Sequence, residues 1–297
     1  MGEKDITQKN LEDYNDVFAD IINGVIYQGK QVVVPDDLEN AVVHSQYKDD
    51  KSKLHEQERD VAKYWKKGNI RIALCGIENQ SKPEKKMPVR IIGYEGASYR
   101  TQLKQKHIAP VLTLVLYFGT EQRWNYSTNL KSVLNIPEGM DDYVNDYKIN
   151  VVEVAWLSQE EVDYFKSDFR VVANFFVNKR LDENYIPDDP QEIKHVDEVL
   201  KLLSVMSGDH SYEEVLFQKG KVSNMCEVAQ NLINKGKLEG MQEGMQKGMQ
   251  KGMQKGENRL SNLLSLLYAA NRDEDAKKAV EDEKARQAFY REFGIID

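Results

Sequence analysis

Residues 56–80, EQERDVAKYWKKGNIRIALCGIENQ, decide how this chain is read. Aromatic and β-branched residues flank a turn-like KKGN at positions 66–69, and Gly68 supplies the backbone freedom such a turn needs, so the stretch predicts a β-hairpin. In its second arm Ile70, Ile72, Leu74 and Gly76 share one side, and Arg71, Ala73, Cys75 and Ile77 the other. That arm is mostly apolar on both faces, as a covered central strand should be. Its end turns polar: Glu78 and Gln80 follow on one face, and Asp60 opens the partner arm. Two carboxylates converging on the end of an apolar strand suit an oxygen-loving divalent cation such as Mg²⁺, with Gln80 directed at a bound water or phosphate. Surface carboxylates capping a sheet edge give the same pattern.

The register sets a condition on that convergence. If Trp65 pairs with Ile70, Asp60 falls opposite Cys75 and Glu78 lies three residues further along. A bulge or a splayed strand end then has to bring the two acids together.

Asp60, the apolar strand, Glu78-Asn79-Gln80-Ser81, then Met87-Pro88-Val89-Arg90 and Tyr94 together resemble the core of the recombination-promoting nuclease / "putative transposase" family, which is similar to the wider PD-(D/E)XK nucleases. The resemblance covers residues 14–180 and, more loosely, the C-terminal tail. It implies an α/β fold with a mixed central sheet flanked by helices, a restriction-endonuclease-like core, followed by a helical C-terminal extension. It further implies a DNA endonuclease that hydrolyses phosphodiester bonds with Mg²⁺, or Mn²⁺ in its place, leaves 5′-phosphates and promotes DNA recombination or transposition. Carried onto this sequence, Asp60 and Glu78 bind the metal and Gln80 positions water, the three forming the catalytic set. A first-helix acid approaches the metal in such folds, which makes Asp16 a third candidate ligand. The wider superfamily has Lys where Gln80 stands, and that departure puts the chemistry in doubt more than the fold. A catalytically weak or inactive nucleic-acid-binding or assembly protein on the same scaffold is the alternative.

Charge is distributed in a way that bears on both readings. The chain of 297 residues carries a formal net charge of -8, so its global field does not favour nucleic acid. Residues 82–106 run against that background: Lys82, Lys85, Lys86, Arg90, Arg100, Lys104 and Lys106 face only Glu84 and Glu95. Pro88 suits the first turn of a helix there. Arg90, Lys82, Lys85 and Lys86 are the candidate phosphate contacts, because Arg makes a directed fork of hydrogen bonds and Lys a mobile charge. An ordinary cationic helix face, or an Arg90 salt bridge to a motif carboxylate, accounts for the same residues.

The remaining chain supplies supporting elements. Leu11, Tyr14, Val17, Phe18, Ile21 and Ile22 predict an amphipathic helix over 11–27, ended or interrupted at Asn23-Gly24. PVLTLVLYFG at 110–119 predicts a buried strand, and the strand-helix-strand order from residue 70 to 119 a parallel crossover. A further strand is expected over 148–157, with Ser158 and Glu161 forming a capping box for a short helix. Trp124 is expected to pack at a sheet edge. His44 and His55 stand apart from any metal-binding spacing.

The expected division is a nuclease-like domain over 1–185, a helical extension over 186–235, a glycine-periodic spacer or helix over 236–257, and a C-terminal helical segment over 258–297. Glycine recurs at every fourth position from Gly236 to Gly256, with Met241, Met245, Met249 and Met253 beside it. Flexible spacing, or a helix ordered by homo-oligomer formation, suits that repeat. Only Cys75 and Cys226 are present, which argues against a disulfide framework. No signal-like or membrane-spanning apolar run occurs, and a cytoplasmic setting without membrane partners is expected.

Overall fold

Strand β5, Ile70–Gln80, sits at the centre of a five-stranded sheet because eleven residues with apolar side chains on both faces need cover on both faces. A computed structural model describes residues 11–41, 44–48, 54–58, 60–216 and 222–295. The sheet order is β1 (Leu38–Asn40), β4 (Val61–Lys67), β5, β6 (Val111–Tyr117), β7 (Asn150–Glu153). The β1/β4 and β4/β5 pairs are antiparallel, whereas β5/β6 and β6/β7 are parallel, so the sheet is mixed. Strands β2 (His44–Lys48) and β3 (Leu54–Glu58) pair as a separate ribbon. The side chains of His44 and His55 lie outside the described residues, as does the stretch 1–10.

Helices cover both faces. Cys75, Ile77, Leu114 and Leu116 pack with Val17, Phe18, Ile21 and Ile22 of helix α1 (Asn15–Tyr27) and with Val172 and Phe176 of a later helix, Phe169–Leu181. On the opposite face Val115 packs with Met87, Ile91 and Tyr94 of helix α2 (Met87–Thr101), the crossover between β5 and β6. This is the mixed sheet flanked by helices that the sequence predicts.

Two local expectations change. Helix α1 passes through Asn23-Gly24 to Tyr27, because Gly24 lies beneath the Phe165 ring and Asn23 is buried against the following strand-like chain, its Oδ1 accepting from Val33 N at 2.8 Å. The strand expected over 148–157 is shorter: after Glu153 the chain tightens into a 3₁₀ turn, Val154–Trp156. Helix α3, Gln159–Val162, follows with the expected Ser158/Glu161 capping box. The glycine-periodic segment is helical.

After helix α4 (Phe169–Leu181) come α5 (Val196–Ser207), α6 (Ser211–Leu216) and α7 (Met225–Ala269), then α8 (Asp273–Glu281) and α9 (Glu283–Glu292). The chain divides into two compact units, Met1–Leu232 and Ile233–Asp297. In the first, Met225 and Val228 join the core that includes Leu200 and Leu203 of α5. In the second, Leu263 and Leu267 are buried with Ala276, Ala279 and Tyr290, so the leucine stripe after the repeat is covered by helices of its own chain. Among the described residues no helix is long and apolar enough to cross a membrane.

Candidate functional site

The hairpin turns more tightly than a Trp65/Ile70 pairing requires. Lys67 pairs with Ile70 across Gly68 and Asn69, with Gly68 at φ +60°, a left-handed conformation that favours glycine. Lys66 pairs with Arg71 but Trp65 with Ala73, so Ile72 is an extra residue and the arms shift by one. From there the register is regular to Val61 opposite Ile77. One further step sets Asp60 opposite Glu78, and directly opposed residues of an antiparallel pair point to the same face. The tight turn and the bulge together remove the three-residue offset.

Both acids are buried on the α2 side of the sheet, Glu78 with no exposure and Asp60 at 6%. Asn79 holds the ends together. Its backbone N–H donates to Asp60 Oδ2 at 2.7 Å, and its side-chain Nδ2 donates to Glu12 Oε2 at 2.7 Å. Glu12, itself buried, is therefore the acid from the α1 side that reaches this centre. It is held in place partly by Lys63, a fully buried cation whose Nζ donates to the Asp13 carbonyl at 2.8 Å and to Asn40 Oδ1 at 2.6 Å. Burial pulls the Lys63 ammonium below its usual range.

Arg90 closes the centre from above. Its guanidinium forms an ion pair with Glu78 Oε1 and lies 3.5 Å from Glu84, while its Nε donates to the Tyr94 hydroxyl at 2.8 Å. Gln80 Nε2 reaches the same Glu78 oxygen at 3.3 Å. Burial works against the Arg90 charge, but Glu78 and Tyr94 outweigh it and the guanidinium is held above its ordinary value. The Tyr94 hydroxyl is pushed up to about 12 by burial and by the negative charge of Glu78. Burial raises the Glu12 carboxyl well above the usual range; the Asn79 hydrogen bond opposes this, and Asp60 and Glu78 add to it.

The residues read from the sequence thus divide. Asp60, Glu78 and Gln80 come together at one strand end. Asp16 lies elsewhere: its carboxylate meets His195 Nε2 at 3.2 Å and Lys194 Nζ at 3.3 Å, and Tyr14 stacks on the His195 ring at 3.7 Å. Burial opposes its ionisation, but the His195 and Lys194 contacts hold the Asp16 pKa below its ordinary value. Arg90 is turned toward Glu78, whereas Lys82, Lys85 and Lys86 are exposed beside it. Sequence reasoning passed over Glu12 and Asn79. Glu12 had a signal in its position four residues before Asp16, next to a core leucine; Asn79 had only its place between Glu78 and Gln80.

Three carboxylates have the donor chemistry for a hard cation, yet among the described residues no group of three or more Asp, Glu, His or Cys is placed to hold one. Glu78 faces Arg90, Asp60 faces a backbone amide and Glu12 faces the Asn79 side chain. In this arrangement one oxygen of each acid is held by a protein donor.

Residues 62–206 match the family model described as "Putative transposase, YhgA-like". The matched segment belongs to this family, which is part of the PD-(D/E)XK nuclease superfamily. The match takes in Glu78, Gln80 and Arg90 and begins two residues after Asp60. Comparison with curated proteins and with solved structures gave no match. The scaffold is thus that of the YhgA-like family, and its acids sit at the end of the central hairpin.

Proposed function

We propose that this YhgA-like protein binds nucleic acid on a nuclease-derived scaffold whose acid centre is catalytically weak or inactive. The observation that carries this reading is that one oxygen of each acid at the centre is held by a protein donor, above all Glu78 Oε1 by Arg90. A carboxylate neutralised by a guanidinium is a poor ligand for a second cation, because the two positive charges compete for the same oxygen. Lys82, Lys85 and Lys86 lie exposed on the stretch between the acids and α2 and supply the local positive field that the chain as a whole lacks. Phosphate contacts made by mobile lysines position a duplex without reading its sequence.

The test is a titration of duplex DNA at several salt concentrations with the parent and with Lys82→Ala/Lys85→Ala/Lys86→Ala. If all three lysines contact phosphate, the triple variant loses about 3 from the slope of log affinity against log salt. Equal slopes and equal affinities for the two proteins would remove this surface from the proposal.

A second reading, a Mg²⁺- or Mn²⁺-dependent DNA endonuclease, is favoured by the register that ends with Val61 opposite Ile77 and brings Asp60 to the Glu78-Asn79 end of β5. It requires Arg90 to release Glu78 when DNA and metal arrive, and it predicts metal-dependent cutting that Asp60→Ala abolishes.

A further inference from the structure

Residues 236–256 repeat a four-residue unit: glycine, then from residue 241 methionine, then glutamine and a charged residue. The repeat lies within helix α7. A step of four residues turns the helix by about 400°, so each residue type climbs as its own ridge, drifting about 40° per step. Seen from the glycine ridge, the methionines lie about 100° to one side and the charged residues about 60° to the other. The glycine ridge is open: a Cβ on Gly240, Gly244, Gly248 or Gly252 would meet nothing within 4 Å. Met241, Met245, Met249 and Met253 are exposed by 73, 76, 66 and 59%. Within the repeat the charged ridge places Glu239 and Glu243 before Lys247, Lys251 and Lys255, while Lys235, one step earlier, lies 3.7 Å from Glu239 Oε1.

We propose that this face pairs with the same face of a second copy of the chain, the two helices running antiparallel. A two-fold axis normal to both helices leaves each ridge on its own side of the contact and reverses its direction. Glu243 of one copy then lies beside Lys251 of the other, and Met245 beside Met249 on the opposite flank. In a parallel pair each charged ridge would face the partner's methionines. The order of charges therefore selects the antiparallel arrangement.

The glycines between the two flanks let the backbones approach, and interdigitated four-residue ridges cross at about −50°, which confines the contact to the repeats around Lys247 and Gly248. The lysine at that centre is already balanced, since Lys247 Nζ is 2.9 Å from Glu243 Oε2 of its own helix. Methionine fills such a contact without demanding one rotamer. Glycine weakens a helix relative to alanine, so burial against a partner offsets a weakness built into the repeat. The inference stands apart from the acid centre and does not depend on what that centre does.

Full-length chain carrying Cys226→Ser tests it, since Cys75 is buried. Met241→Cys and Met253→Cys chains are mixed and treated with a short bis-maleimide. The antiparallel pair gives 241–253 cross-links about tenfold in excess of 241–241, whose positions lie about 18 Å apart along the helices. In light scattering, Glu239→Lys/Glu243→Lys alone and Lys251→Glu/Lys255→Glu alone are monomeric at concentrations where the parent is dimeric, and their mixture is dimeric again. A parent that stays monomeric at every concentration, a predominance of 241–241 cross-links, or charge-reversed chains that dimerise as the parent does would each overturn the proposal.

Discussion

Glu78, with no exposed surface, forms an ion pair with Arg90 from the first turn of the helix that follows its strand. The pair joins the end of the central strand to its own crossover helix. It also decides what the acid centre is free to do. Removing the guanidinium leaves a buried carboxylate with a charge that has lost its counter-ion. Arg90→Ala should therefore cost about 3 kcal/mol, the low end for a broken buried pair because Arg90 is about a third exposed. Arg90→Met with Glu78→Gln should recover most of that loss. Urea unfolding of the three proteins in EDTA checks both outcomes.

Asn79 is expected to matter for the same reason from below. Asn79→Ala deletes the donor to Glu12 Oε2 while leaving the backbone bond to Asp60 intact. The expected cost is about 1–3 kcal/mol for an acceptor left buried without that donor. Asn79→Asp, which adds a charge among Glu12, Asp60 and Glu78, should be less stable still at pH 8 and should approach Asn79→Ala as the pH is lowered. Equal stability of all three proteins in urea at pH 8 would contradict the hub role.

The pH dependence of Glu12 follows from the direction of its shift. Its folded pKa is raised, by burial first, so the folded state binds its proton more tightly than the unfolded state does. That destabilises the protein at high pH: the penalty is absent below about pH 4, grows as pH passes the unfolded value, and is complete above the folded value. Glu12→Gln keeps an acceptor for Asn79 and carries no charge. It should match the parent in acid and exceed it at pH 8. Thermal unfolding from pH 4 to pH 8 in EDTA reads the difference, and a parent more stable than Glu12→Gln at pH 8 would refute it.

Gly24 tests the packing of α1 against the loop between α3 and α4. A Cβ there would stand 2.3 Å from the Phe165 ring, so Gly24→Ala must displace that ring. The expected loss is about 1–3 kcal/mol, as for other overpacked cores. Gly24→Ala combined with Phe165→Leu should lose less than the sum of the two single changes, as urea midpoints would show.

Much of this architecture is legible in the sequence because it rests on strong local patterns. The apolar run from Ile70 predicts a covered strand and is buried from Ala73 onward, PVLTLVLYFG supplies its parallel neighbour, and Ser158 with Glu161 marks a helix start. The register of the hairpin is less legible. Gly68 marks the turn, but the register also depends on Ile72 stepping out of the ladder, and an isoleucine among apolar strand residues gives no sign of a bulge. Which first-helix acid reaches the centre is harder again. Glu12 and Asp16 are four residues apart, on either side of the extended Tyr14 that precedes α1, and the choice is made by partners distant in sequence, Asn79 for Glu12 and His195 with Lys194 for Asp16. The repeat of glycine every fourth residue predicts its own ridges, but whether it is a spacer or a helix depends on the whole of α7.

Plasmid cleavage measures the central claim most directly. Supercoiled DNA is incubated with the parent, Asp60→Ala and Glu78→Ala in Mg²⁺ and in Mn²⁺, with DNA binding measured on the same preparations. The account predicts that the parent binds the DNA yet leaves no more nicked or linear plasmid than Asp60→Ala does. Metal-dependent cutting by the parent that both substitutions abolish would contradict it and establish the endonuclease instead.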